Sequence, residues 1–169
     1  VQSRTGRTAT KILLQHDNVF KVFKGDASNL SDSSDLIDLA SCDSPVCNTI
    51  HASGIISDAR LANQTKGAVY SVFAPKDSGA KNIWRNCGAL HPIDVAISFS
   101  SIAATIGVIG QINYSAASSA LDGSASRHFA AGHPALSIQW GPWADIGMAS
   151  GEVIAKRWEA RGNLLVSTE

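Results

Sequence analysis

Ile93-Asp-Val-Ala-Ile-Ser-Phe99, running straight into Ser100-Ser101, is the stretch whose reading decides the fold. It is short, apolar and rich in β-formers, which describes a buried strand ending in two small polar residues. Downstream, Gln111 to Ala131 reads as a long, small-residue helix stopped by Gly132-His-Pro134. Ala135 to Trp140 is a further strand, closed by Gly141-Pro142, and Gly151 to Arg161 a last short helix. Upstream, Val19 to Phe23 is a strand ending at Gly25-Asp26, followed by a helix over Leu30 to Ala40 that Asn29 or Ser31 could cap. Val46 to Ile50 is a strand leading into His51-Ala-Ser-Gly54, and Ala68 to Cys87 a long helix. Pro75 falls inside that helix, where a missing N–H predicts a kink or a break.

Strands alternating with helices predict an α/β fold, a parallel sheet covered on both faces. Such sheets bind ligands beyond the carboxyl ends of their strands. Here those ends are Gly25-Asp26, His51-Ala-Ser-Gly54, Ser100-Ser101 and Gly141-Pro142, all small or polar. Two readings stay open at this point: a binding site, or glycines and serines that simply mark loops.

The 169 residues suit one domain with one core. Acidic and basic residues balance at 14 each, so no charge field favours nucleic acid or an anionic membrane as partner. No apolar run approaches the roughly 20 residues of a membrane helix, and Val1-Gln2-Ser3-Arg4 lacks the apolar centre of a signal peptide. Cys42, Cys47 and Cys87 form no CxxC pair, which predicts reduced thiols, a cytoplasmic setting and no metal site.

Tyr114 lies thirteen residues after Ser101, near the start of the helix that follows the strand. That arrangement can bring both hydroxyls to one point above the sheet, where they could hydrogen-bond a carbonyl oxygen. Reduction of a ketone adds hydride to carbon and a proton to oxygen, and a tyrosine can supply the proton if a nearby ammonium lowers its pKa. Lys76 is the candidate ammonium. On spacing alone, Tyr114 could equally be a core or surface residue.

Phe99-Ser-Ser101-Ile-Ala, Gly110-Gln-Ile-Asn-Tyr114-Ser-Ala-Ala, Leu121-Asp122, Trp140-Gly-Pro-Trp143-Ala, Gly147-Met148, His51-Ala-Ser-Gly54 and Phe73-Ala-Pro-Lys76 together resemble the ketoreductase domains of polyketide synthases. These belong to the short-chain dehydrogenase/reductase superfamily, and the resemblance runs from Ser3 to about Leu165. It implies a Rossmann-like, doubly wound parallel sheet and an NADPH-dependent reduction of a β-ketoacyl thioester on an acyl carrier protein. The partners would be that carrier and other synthase domains. It makes Ser101 the residue that holds the carbonyl, Tyr114 the proton donor and Lys76 its tuner. Ser3 and Arg4 match the segment that grips the 2′-phosphate of NADPH, for which a guanidinium fork is suited. Asp26, with Ala27 beside it, matches the contact to the adenine, and Ala52 and Gly54 match small residues that let the cofactor approach backbone. Gly141 and Pro142 would line the nicotinamide, and Met148 would border the substrate groove.

Three departures qualify this resemblance. The fourth residue after the tyrosine, usually Asn and part of the proton relay, is Ser118, a shorter side chain that is taken as its stand-in. The Leu-Asp-Asp motif of one stereochemical class appears as Ile56-Ser57-Asp58, and Ile106 stands where another class has tryptophan; Asp58 therefore leans towards a D-type β-hydroxy product. Finally, the chain opens at what would be the second strand, without the first strand and the glycine-rich turn that cradles the pyrophosphate. The expectation is a partial ketoreductase domain over 1–169, part of a larger multidomain chain, with weak NADPH binding and marginal stability when isolated. A fatty-acid synthase ketoreductase, another short-chain carbonyl reductase, and a non-catalytic structural remnant are the competing functions. Lys76 and Trp140-Gly-Pro-Trp143 favour the polyketide type, since simpler relatives carry their lysine where Ser118 stands.

Overall fold

A computed structural model of the chain describes residues 11–13, 20–90 and 92–143, together with 162 and 166. Strand β3 (Asn48–His51), β4 (Val95–Ser101) and β5 (Ala135–Trp140) form a parallel sheet in the order β3-β4-β5. The register sets His51 beside Ser98, and Ser101 beside Trp140, so the carboxyl ends of the strands lie along one edge. Each crossover carries helix, as parallel pairing requires.

Helix α1 (Leu30–Ser41) is capped by Asn29, whose Oδ1 accepts from the backbone N–H groups of Ser31 and Asp32 at 2.8 and 3.2 Å. Between β3 and β4 the chain is helical without interruption from Lys66 to Leu90: α2 (Lys66–Phe73), a π-helical turn (Ala74–Ser78) and α3 (Gly79–Leu90). Pro75 therefore produces a bulge, where the sequence predicts a kink or break. Lys76 sits at the middle of that bulge. After β4 come a short helix α4 (Ala103–Ile106), which the sequence pattern does not reveal, and the long α5 (Ile112–Ala130).

The sequence places Val19 to Phe23 among the strands of the parallel sheet. Among the described residues the structure shows β2 (Phe20–Val22) there, paired antiparallel with β1 (Lys11–Leu13), a strand the sequence pattern does not reveal. The physical reason is loop length. Only residues 14–19 separate the two, whereas a parallel pair needs a crossover of about a dozen residues or more. The expected last helix, Gly151 to Arg161, lies outside the described residues.

Along β4 the pleat alternates. Ala96, Ser98 and Ser100 are buried towards the helices, while Ile97, Phe99 and Ser101 face the other way and are half-buried. The core under the helices joins Ile37 of α1, Ala80, Ile83, Trp84 and Cys87 of α3, and Leu121 and Ala125 of α5. Leu121 is fully enclosed. Small residues on the same helix, Ala117, Ser118 and Ser124, are also buried and let α5 approach the bulge and β4 closely. Truncating Leu121→Ala is expected to cost about 2–5 kcal/mol of stability, read as a lower urea midpoint with an unchanged slope.

Candidate active site

The site is built where β4 ends. Ser101 is the last residue of β4, and the chain returns to the sheet edge only thirteen residues later at Tyr114, in the first turn of α5. Gly107 and Gly110, at φ values of 67° and 87°, bend this connection through backbone conformations that other residues rarely adopt. Asn113 then fixes the helix start. Its Oδ1 accepts from the Tyr114 N–H at 2.8 Å, and its Nδ2 donates to the Ser57 carbonyl at 2.8 Å.

Lys76 reaches the same point from the π-helical bulge. Its Nζ lies 3.3 Å from the Tyr114 hydroxyl and 3.3 Å from the Phe99 carbonyl, and 4.5 Å from the centre of the Tyr114 ring. Ser101, whose Oγ accepts from the Ala103 N–H at 3.2 Å, stands close enough to the Tyr114 hydroxyl to favour its ionised form. The structure thus brings Ser101, Tyr114 and Lys76 together from two helical segments and a strand end. Lys76 is almost entirely buried, at 2% exposure, and Tyr114 is 8% exposed.

Burial governs both titrations. Loss of solvent lowers the Lys76 pKa to about 8, against a smaller upward pull from the Asp122 carboxylate. Tyr114 corrects the sequence expectation. Its pKa is raised, because burial of a would-be phenolate outweighs the lowering by the nearby Ser101 side chain. In this arrangement Tyr114 holds its proton firmly at neutral pH.

The other predicted residues divide. Ser118, one turn after Tyr114, is fully buried, yet its Oγ has no hydrogen-bond partner among the described residues, so nothing links it to Lys76. Ala52 is exposed and Gly54 half-buried, just beyond His51 at the end of β3. Asp58 is exposed on the same loop, which is pinned to the start of α5: Gln111 Nε2 donates to Asp58 at 3.2 Å and the Ala59 N–H to the Gly110 carbonyl at 2.9 Å. Asp26 points one carboxylate oxygen at the N–H and hydroxyl of Ser28, and Ala27 is buried in the main core. Gly141 and Pro142 follow β5, with Pro142 accepting from the Val166 N–H at 2.8 Å. Ser3, Arg4 and Met148 lie outside the described residues.

Sequence reasoning missed two buried polar residues at this site. One is Asn113; its signal was an amide side chain directly before the tyrosine at a helix start. The other is His51, whose Nε2 stands 2.9 Å from the Pro75 carbonyl and 3.0 Å from that of Lys76.

A Ser, a Tyr and a buried Lys thus converge at the strand ends of a parallel-sheet α/β domain. The KR domain family matches residues 2–145, and the chain belongs to that family of NAD(P)-dependent oxidoreductases. It is similar to a phenolphthiocerol/phthiocerol polyketide synthase of Mycobacterium tuberculosis, at 40% identity over 62% of the chain. It also resembles chalcone synthase cfoA of Aspergillus candidus, at 44% identity over 63% of the chain. Among solved structures, the ketoreductase from the first module of phoslactomycin biosynthesis in Streptomyces sp. HK803 superposes with a TM-score of 0.80 at 32% identity over 87% of the chain. An A1-type ketoreductase gives 0.81 at 28% identity over 87%. The matches span 5% and 4% of the two synthases, and 34% and 31% of the two solved chains. The fold is therefore the Rossmann-like ketoreductase fold of polyketide synthases.

Proposed function

We propose that this chain contributes the proton-donating centre for reduction of a β-ketoacyl thioester, carried on an acyl carrier protein, to the β-hydroxyacyl thioester. The observation that carries the reading is the convergence of Ser101, Tyr114 and Lys76, with Lys76 Nζ at 3.3 Å from the tyrosine hydroxyl. A non-catalytic remnant would have no reason to keep a buried ammonium against a buried phenol, since each is costly to desolvate.

The residues present suit NADPH in part. The exposed Ala52 and half-buried Gly54 leave the end of β3 free of bulky side chains, and the strand ends beside Tyr114 offer a shelf of small residues. Arg4 would hold the 2′-phosphate and Asp26 the adenine, with Gly141 and Pro142 beside the nicotinamide; when bound, NADPH supplies the hydride. The chain's own residues do the rest. Ser101 and Tyr114 hold the carbonyl oxygen by two hydrogen bonds. The raised pKa of Tyr114 keeps its proton in place until charge develops on that oxygen. Lys76 then stabilises the tyrosinate that remains, a buried charge opposite a buried charge.

NADPH absorbance followed with a β-ketoacyl thioester tests this in the intact protein. Thioester-dependent loss of absorbance is expected, and its absence would refute the reading. The rate should also fall as pH rises through about 8. Lys76 loses its proton there, while the raised Tyr114 pKa keeps the phenol protonated. A kcat/KM profile flat from pH 7 to 9 would contradict that assignment.

A further inference from the structure

We propose that His51 is a positioning residue that holds the π-helical bulge open in the conformation that delivers Lys76 to Tyr114. This inference rests on the reading of Lys76 given above and extends it to a residue outside the reacting trio. A proline in a helix interior removes one N–H and crowds the preceding turn. Widening that turn to π geometry relieves the crowding, and such single-turn bulges recur at functional sites. The His51 ring braces this bulge from another element. Its Nε2 lies 2.9 Å from the Pro75 carbonyl and 3.0 Å from the Lys76 carbonyl. Both partners are acceptors, so Nε2 carries the hydrogen and shares it between them.

Three further observations fit an anchor. His51 is 2% exposed, so water cannot replace its hydrogen bonds. Burial lowers its pKa to about 4, against the upward pull of its two carbonyl partners, so the ring stays neutral at working pH. The chain also makes room for it: a Cβ on Gly79 would come within 3.2 Å of His51 Cε1 and 3.3 Å of Ala27 Cβ. Because His51 is the last residue of β3, it fastens the lysine turn to the strand that leads directly into residues 52–54. One side chain thus sets the distance between the expected cofactor loop and the lysine.

The charged and titratable groups around Lys76 come from each neighbouring element. Tyr114 and Asp122 project from α5, His51 from β3, and Asp77 from the bulge itself, where Lys81 pairs with it at 2.6 Å. None of these but His51 contacts the backbone of the lysine turn among the described hydrogen bonds.

The test compares His51→Ala and His51→Gln in the intact protein, since the glutamine amide reaches about as far as Nε2 and also donates. His51→Ala is expected to lower kcat by about 10- to 100-fold with little change in KM. It should also move the alkaline limb of the pH profile upwards, as water reaches Lys76. His51→Gln should restore most of both. Hydrogen exchange across residues 74–79 should quicken in His51→Ala while α5 stays protected. Wild-type kcat and pH limb in His51→Ala would overturn the proposal, as would unchanged exchange at 74–79. Equal losses in both variants with an unmoved pH limb would also overturn it, since that describes a purely structural role. If the wild type itself fails to reduce the thioester, the functional reading fails, and the exchange experiment alone decides whether His51 anchors the bulge.

Discussion

Tyr114→Phe is expected to reduce thioester reduction by about 10²–10⁴-fold, the usual share of a general acid, while leaving cofactor affinity and the fold nearly unchanged. The ring packs with Val72, Ala103 and Ala117, and phenylalanine preserves that contact. Only the hydroxyl is lost, and with it a partner of Lys76 Nζ. No other protonated group stands between Ser101 and Lys76 to take its place among the described residues. NADPH consumption by the two proteins, at matched concentration, measures the effect. Equal rates would mean that the proton comes from elsewhere.

Lys76→Met separates catalysis from stability in the opposite sense. The rate should fall by about 10²-fold or more, because the tyrosinate loses its counter-charge. Stability should hold or increase. The Lys76 pKa falls from 10.5 unfolded to about 8 folded. Below pH 8 both states carry the proton, and the folded state bears the full desolvation cost, about 3 kcal/mol at 1.36 kcal/mol per pKa unit. Between pH 8 and 10.5 the folded state has shed its proton and the unfolded state has not, so stability rises with pH; above 10.5 the contribution is gone. Methionine fills a similar volume without a charge to desolvate, and such replacements are often neutral or stabilising. Thermal melts near pH 7 check this. A melting temperature several degrees below wild type would show that the lysine holds the fold together.

The sheet was largely legible because it rests on local pattern. The apolar run at Ile93 to Phe99 marked β4, although the observed strand starts at Val95 and continues through Ser100 and Ser101. Those serines keep the ladder with Gln139 and Trp140, since backbone pairing does not depend on side-chain polarity. That Ser101, Tyr114 and Lys76 lie close together was legible through motif resemblance, not through spacing. What was not legible depends on partners far away in sequence. The π-helical bulge depends on His51, 24 and 25 residues before the carbonyls it holds, so Pro75 alone could only suggest a break. The antiparallel pairing of β2 depends on β1, too short a run to register as a strand. The direction of the Tyr114 shift depends on burial, which no spacing discloses.

The reading stands or falls on one transfer of hydrogen. The intact protein would be supplied with NADPH deuterated at C4 and a β-ketoacyl thioester, and the product analysed by mass spectrometry. Deuterium at the β-carbon of a hydroxyacyl product, made by the wild type and nearly lost with Tyr114→Phe, is the expected result. A hydroxyacyl product without the label, or no product at all, would contradict the account.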